Sequence, residues 1–349
     1  MYKKFFMGIA AMAALTLVSC SSDDLNSLSD NSSKNEAISF DGYLGRSAVA
    51  VNGSRGSELK IDGLKEATGG FGVFGNYKNA DDLEFGSNLF NNEKVYWSSS
   101  TESAKWTYDN IKYWPTEGHI DFLAYAPYDS KYVNKVSSDN QKLEFTVNST
   151  IKDQKDLLWA NAKNQKKADK TVTFTFNHAL AKIGYAVKKG VTDDNVTITL
   201  NKITLAGSTT DPTKGAFYTT GTINLSKDLS NTETATALWT DCKGEQYFTW
   251  SSNFPNVTGS SLASSDYLFV IPQDFSTETD KLYVIVDYTI SYKTGATAVM
   301  ESTVSSQIVK NFLQGKAYKI NLTIGLTPIE FNAEVNDWTP GEDVNIPLN

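Results

Sequence analysis

The chain has 349 residues, 40% of them hydrophobic and 21% charged, so it can bury packed cores and is longer than one core usually serves. A net charge of −8 and a pI near 5.0 argue against nucleic acid as a partner and against electrostatic docking on anionic lipid, since both need a basic patch. Aromatic residues make up 12%, with 18 Phe and 17 Tyr, a composition that leans toward β structure.

The first element in chain order is a leader. Lys3 and Lys4 precede an apolar stretch, Phe5 to Val18, that is too short to span a bilayer. Leu17-Val18-Ser19-Cys20 then resembles a bacterial lipobox. On that reading residues 1–19 are a signal peptide and the Cys20 thiol carries acyl chains; an ordinary signal peptide ending near a cysteine is the alternative. Each buried methylene contributes about 0.8 kcal/mol, so two chains hold where one does not. Ser21-Ser22-Asp23-Asp24 resembles the acidic export tag of surface lipoproteins in Bacteroides-type bacteria. Residues 20–36, rich in Ser, Asp and Asn, read as a lipidated, flexible tether.

From Ile38 onward the hydrophobic period is mostly two. Runs such as Ile38–Tyr43, Gly70–Tyr77, Ile120–Tyr125, Thr171–Phe176, Val196–Ala206, Leu282–Tyr292 and Ala317–Ile324 predict strands. In Thr171–Phe176, Val172, Phe174 and Phe176 share one face and the threonines the other; Tyr318, Ile320, Leu322 and Ile324 alternate in the same way. Turn residues separate the runs, and long amphipathic helical windows are missing. The expected class is all-β, built as antiparallel sandwiches. The polar stretch Ala162–Lys170 suggests a division into residues 37–170 and 171–349.

Little in the sequence points to catalysis, and no enzymatic chemistry, cofactor or metal is expected. Gly70-Phe71-Gly72-Val73-Phe74-Gly75 matches G-x-G-x-x-G, but no helical face follows it, so it reads as strand. His119 and His178 stand outside any metal-ligand spacing. Cys242, the one cysteine left once Cys20 is acylated, reads as an inert buried thiol. The seven Trp could form a glycan-binding platform, although core and edge packing is the plainer reading.

Arg46 and Arg55 are the only arginines among 32 basic residues. Both lie in the Gly- and Ser-rich stretch Gly42–Ser57, as a processing loop for an arginine-specific protease would, and a body free of arginine would survive the cut.

Taken in order, these features resemble the fimbrillin family of Bacteroides-type bacteria, the subunits of their major and minor fimbriae. The lipobox, "ISFDGYLGRS", "FGVFGNY", "KYWP" with "DFLAYAP", "FNHALAKI", "AYKINLTI" and "IEFNAEVNDW" carry the resemblance. It implies two tandem transthyretin-like β-sandwich domains and delivery to the outer membrane as a lipoprotein. It further implies proteolysis after an arginine, best matched by Arg46 with Arg55 as the alternative, and release of the first strand. A strand of a neighbouring fimbrial subunit then fills the open groove. Ile329, Phe331, Ala333 and Val335 alternate with polar residues and form the candidate donor strand; the last strand of the chain's own domain is the competing reading. A host or bacterial surface ligand is a further expected partner. The rival function is a surface lipoprotein that binds glycans beside a nutrient transporter.

Overall fold

The computed structural model describes residues 36–44, 61–65, 69–79, 89–99, 104–129, 142–227, 238–252, 254–263, 265–277, 279–293, 300–326 and 332–337. The chain is nearly all β. The first part holds β1 (Ser39–Leu44), a short helix α1 (Ile61–Lys65), β2 (Phe71–Lys78), β3 (Phe90–Ser98), β4 (Lys105–Thr107), β5 (His119–Ala126), β6 (Lys142–Thr146), β7 (Leu158–Gln165) and β8 (Thr171–His178). The second holds β9 (Ala181–Lys189), β10 (Val196–Ala206), β11 (Thr220–Asn224), β12 (Trp239–Lys243), β13 (Phe248–Trp250), β14 (Leu262–Ala263) and β15 (Leu268–Val270). It continues with β16 (Gln273–Asp274), β17 (Leu282–Tyr292), β18 (Met300–Ile308), β19 (Asn311–Phe312), β20 (Ala317–Ile324) and β21 (Asn332–Asp337).

The expected strand faces are those observed. Along β8, Val172, Phe174 and Phe176 are buried while Thr171, Thr173 and Thr175 face solvent. Along β20 the residues Tyr318, Ile320, Leu322 and Ile324 are all buried.

One seven-stranded sheet has the order β1-β8-β7-β5-β2-β3-β4. On one face it builds a core from Ile38, Phe40, Phe71, Phe90, Phe122 and Phe174 with Trp106, Tyr108 and Trp114. On the other face Phe74, Leu123, Tyr125 and Trp159 join a second, larger core. That second core is shared by the sheets β13-β10-β17-β18 and β14-β9-β20-β21, with β15 also on β9. A three-stranded sheet β12-β11-β6 and the pair β16-β19 complete it.

The chain crosses between the two cores more than once. β6 leaves the first sheet to pair with β11, and β7 and β8 then return to it, so the strands on either side of residue 170 lie in one sheet. Most pairings are antiparallel, as the alternating pattern suggests, but β1–β8 and β9–β20 are parallel. Each parallel pair joins strands separated by many intervening residues, where no hairpin imposes an antiparallel sense.

The G-x-G-x-x-G run lies on and just before β2. Gly72 is glycine because a Cβ there would lie 2.3 Å from the Tyr125 ring, so this glycine serves packing inside the sheet.

Candidate assembly edges

β1 is the outermost strand of the first sheet, yet its side chains are central to the first core. Ile38 and Phe40 are 2% and 5% exposed. The Phe40 ring sits among Phe90, Tyr108, Phe122 and Phe174, with centroids 5.4, 5.5, 5.5 and 5.9 Å away. The parallel register with β8 sets Phe40 beside Val172 and Gly42 beside Phe174. Gly42 is itself buried, and a Cβ on it would stand 3.3 Å from the Phe176 ring and 3.7 Å from Phe71. The groove under β1 is therefore wide at positions 38 and 40 and narrow at 42.

A second wall holds the start of this segment. Ile38 N–H donates to the Lys112 carbonyl at 2.8 Å, and Trp114 N–H donates to the Glu36 carbonyl at 2.9 Å. The Tyr108 hydroxyl donates to the Ile38 carbonyl at 2.8 Å and accepts from Lys112 N–H at 3.2 Å. Burial, followed by the nearby Glu93 and Tyr113, pushes the Tyr108 phenol above its ordinary pKa, against the lowering effect of the Lys112 backbone N–H. The stretch "KYWP" (Lys112–Pro115) thus clamps β1, a role that depends on tertiary placement; its trace in the sequence is the closely spaced aromatics Trp106, Tyr108, Tyr113 and Trp114.

Of the residues proposed for processing and donation, Cys20, Arg46, Arg55, Ile329 and Phe331 lie outside the described residues. Arg46 follows the last residue of β1, Leu44, by two positions. Ala333 and Val335 fall in β21, whose strand partner is β20; the register sets Ala333 beside Leu322 and Val335 beside Ile320. β21 therefore occupies the outer edge of its own sheet, as β1 does of the first.

The other candidates are drawn into packing. Trp106, Trp114, Trp159, Trp239 and Trp250 are buried, so five of the seven tryptophans offer no face to a glycan. The Trp97 ring lies under Lys65 Nζ at 4.5 Å. His178 Nδ1 is 2.5 Å from the buried Asp156 carboxylate, a local ion-pair geometry. Among the described residues no His, Cys, Asp or Glu cluster is arranged to hold a metal. Cys242 is half-buried rather than fully buried, and desolvation first, then Asp241, pushes its thiol pKa up. No helix among the described residues is long and apolar enough to cross a membrane.

The sequence model of the fimbrillin-like family matches residues 62–338. No curated protein matches by sequence. A fimbrial protein from Bacteroides vulgatus superposes with a TM-score of 0.65 at 22% identity, over 87% of this chain and 99% of its own. A presumed cell adhesion protein from Bacteroides uniformis gives 0.49 at 18% identity, over 87% and 99%. The fimbrial anchor protein Mfa2 from Porphyromonas gingivalis gives 0.33 at 9% identity, over 87% and 98%.

Proposed function

This chain belongs to the fimbrillin-like family, and on that footing we propose that it is a structural or adhesive subunit of a cell-surface fimbrium. It is exported as a lipoprotein acylated on Cys20 and held at the outer membrane through residues 20–36. An arginine-specific protease cuts after Arg46, freeing the body of its lipid and of β1. The vacated edge is then refilled by a β segment from a neighbouring subunit, and the subunits polymerise by donor-strand exchange. The segment from Ile329 to Val335 is the candidate donor.

The observation that carries this reading is the position of β1. It is an edge strand, it supplies Phe40 to the core as Ile38 does just before it, and it ends two residues before Arg46. Removing it would leave the β8 edge with unmade backbone hydrogen bonds and an apolar slot beside them. Both are satisfied by one incoming strand, the mode of recognition that pilins share with other strand-adding domains.

Mass spectrometry of surface-sheared fibres tests the proposal. The expected mature N-terminus is Ser47. Acylated Cys20 on every copy in the fibre would overturn processing and strand release together.

A further inference from the structure

A groove lies on the second core, built without β1 or β21. Strand alternation sends Ile203 and Leu205 of β10 and Phe248 and Trp250 of β13 into that core. Lys202, Thr204 and Thr249 therefore share the opposite face, where the register sets Thr204 beside Thr249. Two connections wall this face: Ser149–Ile151, between β6 and β7, and Pro212–Thr213, between β10 and β11. The groove has a volume of about 700 Å³, inside the roughly 300–1,000 Å³ of ordinary ligand clefts.

Its lining is rich in hydroxyls and holds one exposed aromatic ring. Tyr247 is 40% exposed, while Thr204 is buried and its hydroxyl lies 3.2 Å from that of Thr249. The backbone just before Tyr247 is fixed. Gln246 N–H donates to the Phe217 carbonyl at 2.9 Å, and Phe217 N–H donates back at 3.0 Å. The Gln246 side chain adds a bond from Nε2 to the Tyr218 carbonyl at 3.0 Å. The hydroxyls of Ser149, Thr150 and Tyr247 bond to no other described residue. Lys202 and Glu245 bring one charge of each sign, and Lys202 is already paired with Asp287 at 3.0 Å.

These features decide between ligand classes. A polyanion needs surplus positive charge and a polyamine surplus negative charge, and this lining has neither. A wholly apolar ligand would strip water from the hydroxyls and leave them unpaired. A peptide added as a strand needs a long edge, and β13 has three residues. An uncharged sugar meets every requirement. One face of a pyranose ring is C–H and packs on an aromatic ring, and its hydroxyls exchange hydrogen bonds with Ser, Thr and Tyr hydroxyls.

Resting on the adhesive side of the function proposed above, we infer that this groove binds a stretch of uncharged carbohydrate. Tyr247 is the stacking platform, and the hydroxyls of Ser149 and Thr150 read the sugar's polar edge. Binding needs neither cleavage after Arg46 nor strand exchange.

The test titrates the full-length, unprocessed chain with cellotriose, maltotriose, chitotriose and mannotriose, each to about 10 mM, by saturation-transfer NMR. At least one of these trisaccharides binds, with saturation strongest on the C–H protons of one ring. Tyr247→Ala weakens binding roughly tenfold or more, whereas Tyr247→Phe, which keeps the ring, stays within about threefold. Thr150→Ala weakens it roughly threefold or more, the loss of one hydrogen bond. Circular dichroism checks that each variant keeps the parent fold. Failure of all four sugars to bind overturns carbohydrate recognition. Binding that survives Tyr247→Ala puts the sugar elsewhere and overturns the assignment of the groove. Tyr247-dependent binding of an uncharged Gly-Ser peptide instead of sugar makes this a peptide site and ends the inference as well. All three results leave the fimbrial reading standing, since that is decided by the N-terminus of subunits in the fibre.

Discussion

Phe40 stacks on Phe174, with ring centroids 5.9 Å apart and planes inclined by 14°. The contact joins the outermost strand of the first sheet to its neighbour, and the same ring also makes edge contacts with Phe90, Tyr108 and Phe122. Truncating Phe40 to Ala leaves a cavity among residues that cannot readily collapse. It should destabilise the unprocessed chain by about 3–5 kcal/mol. Denaturant unfolding measures the loss. Ser39→Ala, on the exposed side of the same strand, should stay within about 0.5 kcal/mol of the parent. Equal effects would mean that β1 does not depend on its buried face.

Tyr108 makes that strand sensitive to alkali. Its hydroxyl donates to the Ile38 carbonyl, and its folded pKa lies above the ordinary 10.0, with burial the leading cause. A group raised in the folded state contributes stability that is fully present below its unfolded pKa and is lost as pH climbs through the folded value. The wild-type chain should therefore hold β1 up to about pH 10 and loosen above it, as the phenolate loses its donor proton. Tyr108→Phe should cost about 1–2 kcal/mol at neutral pH and flatten the alkaline loss. Arginine-specific proteolysis at Arg46, followed between pH 8 and 11 with a pH-tolerant protease or by pulse at neutral pH, is a direct readout.

How much of this was legible in the sequence depends on what kind of question was asked of it. Alternation along Thr171–Phe176 and Ala317–Ile324 told which side chains go inside, because a strand's period is two whatever it pairs with. It could not tell the partner. β1 lies beside β8 and β9 beside β20, both parallel, across stretches that no local pattern encodes. For the same reason β6 went unread as a strand of the second core: Leu143 alternates as any strand residue does, and only its pairing with Ile223 places it there. The site was half visible. The apolar Ile38 and Phe40 and the nearby Arg46 could be read directly, while the clamp by Tyr108 and Lys112 is a matter of tertiary placement.

Gly72 faces a test of packing in the interior of the first sheet. Its missing Cβ leaves room for the Tyr125 ring, whose hydroxyl donates to Asn92 Oδ1 at 2.6 Å and accepts from Asp129 N–H at 3.2 Å. Gly72→Ala should push that ring away, break both hydrogen bonds and cost about 3 kcal/mol or more. Tyr125→Phe removes the bonds without the clash and should cost about 1–3 kcal/mol. In the double variant Gly72→Ala with Tyr125→Ala the ring clash disappears and only Asn92 Oδ1, 2.6 Å from the added methyl, stays close, so the glycine's own contribution should shrink. Thermal unfolding of the parent, Gly72→Ala, Tyr125→Ala and the double variant gives the coupling. An additive result would show that the ring is not what excludes a methyl at position 72.

Cys242 is the one described cysteine, and its surroundings make it a poor nucleophile. Desolvation, with Asp241 as a second cause, raises its pKa, so less thiolate exists at neutral pH than for a free thiol. Its sulfur lies 3.8 Å from the Thr240 carbonyl, toward which the thiol can donate a weak hydrogen bond. Iodoacetamide should therefore alkylate the folded chain at pH 7.5 roughly tenfold or more slowly than the urea-unfolded chain, since the thiolate is the attacking species and half the side chain is covered. Raising the pH should speed the folded reaction over a range displaced upward from that of the unfolded one, and the two rate profiles measured side by side reveal the displacement. Coincident profiles would mean that the thiol meets water freely and that β12 does not shelter it. Cys242→Ser should then be harmless to stability to within about 1 kcal/mol, because a half-buried hydroxyl can keep the bond to the Thr240 carbonyl.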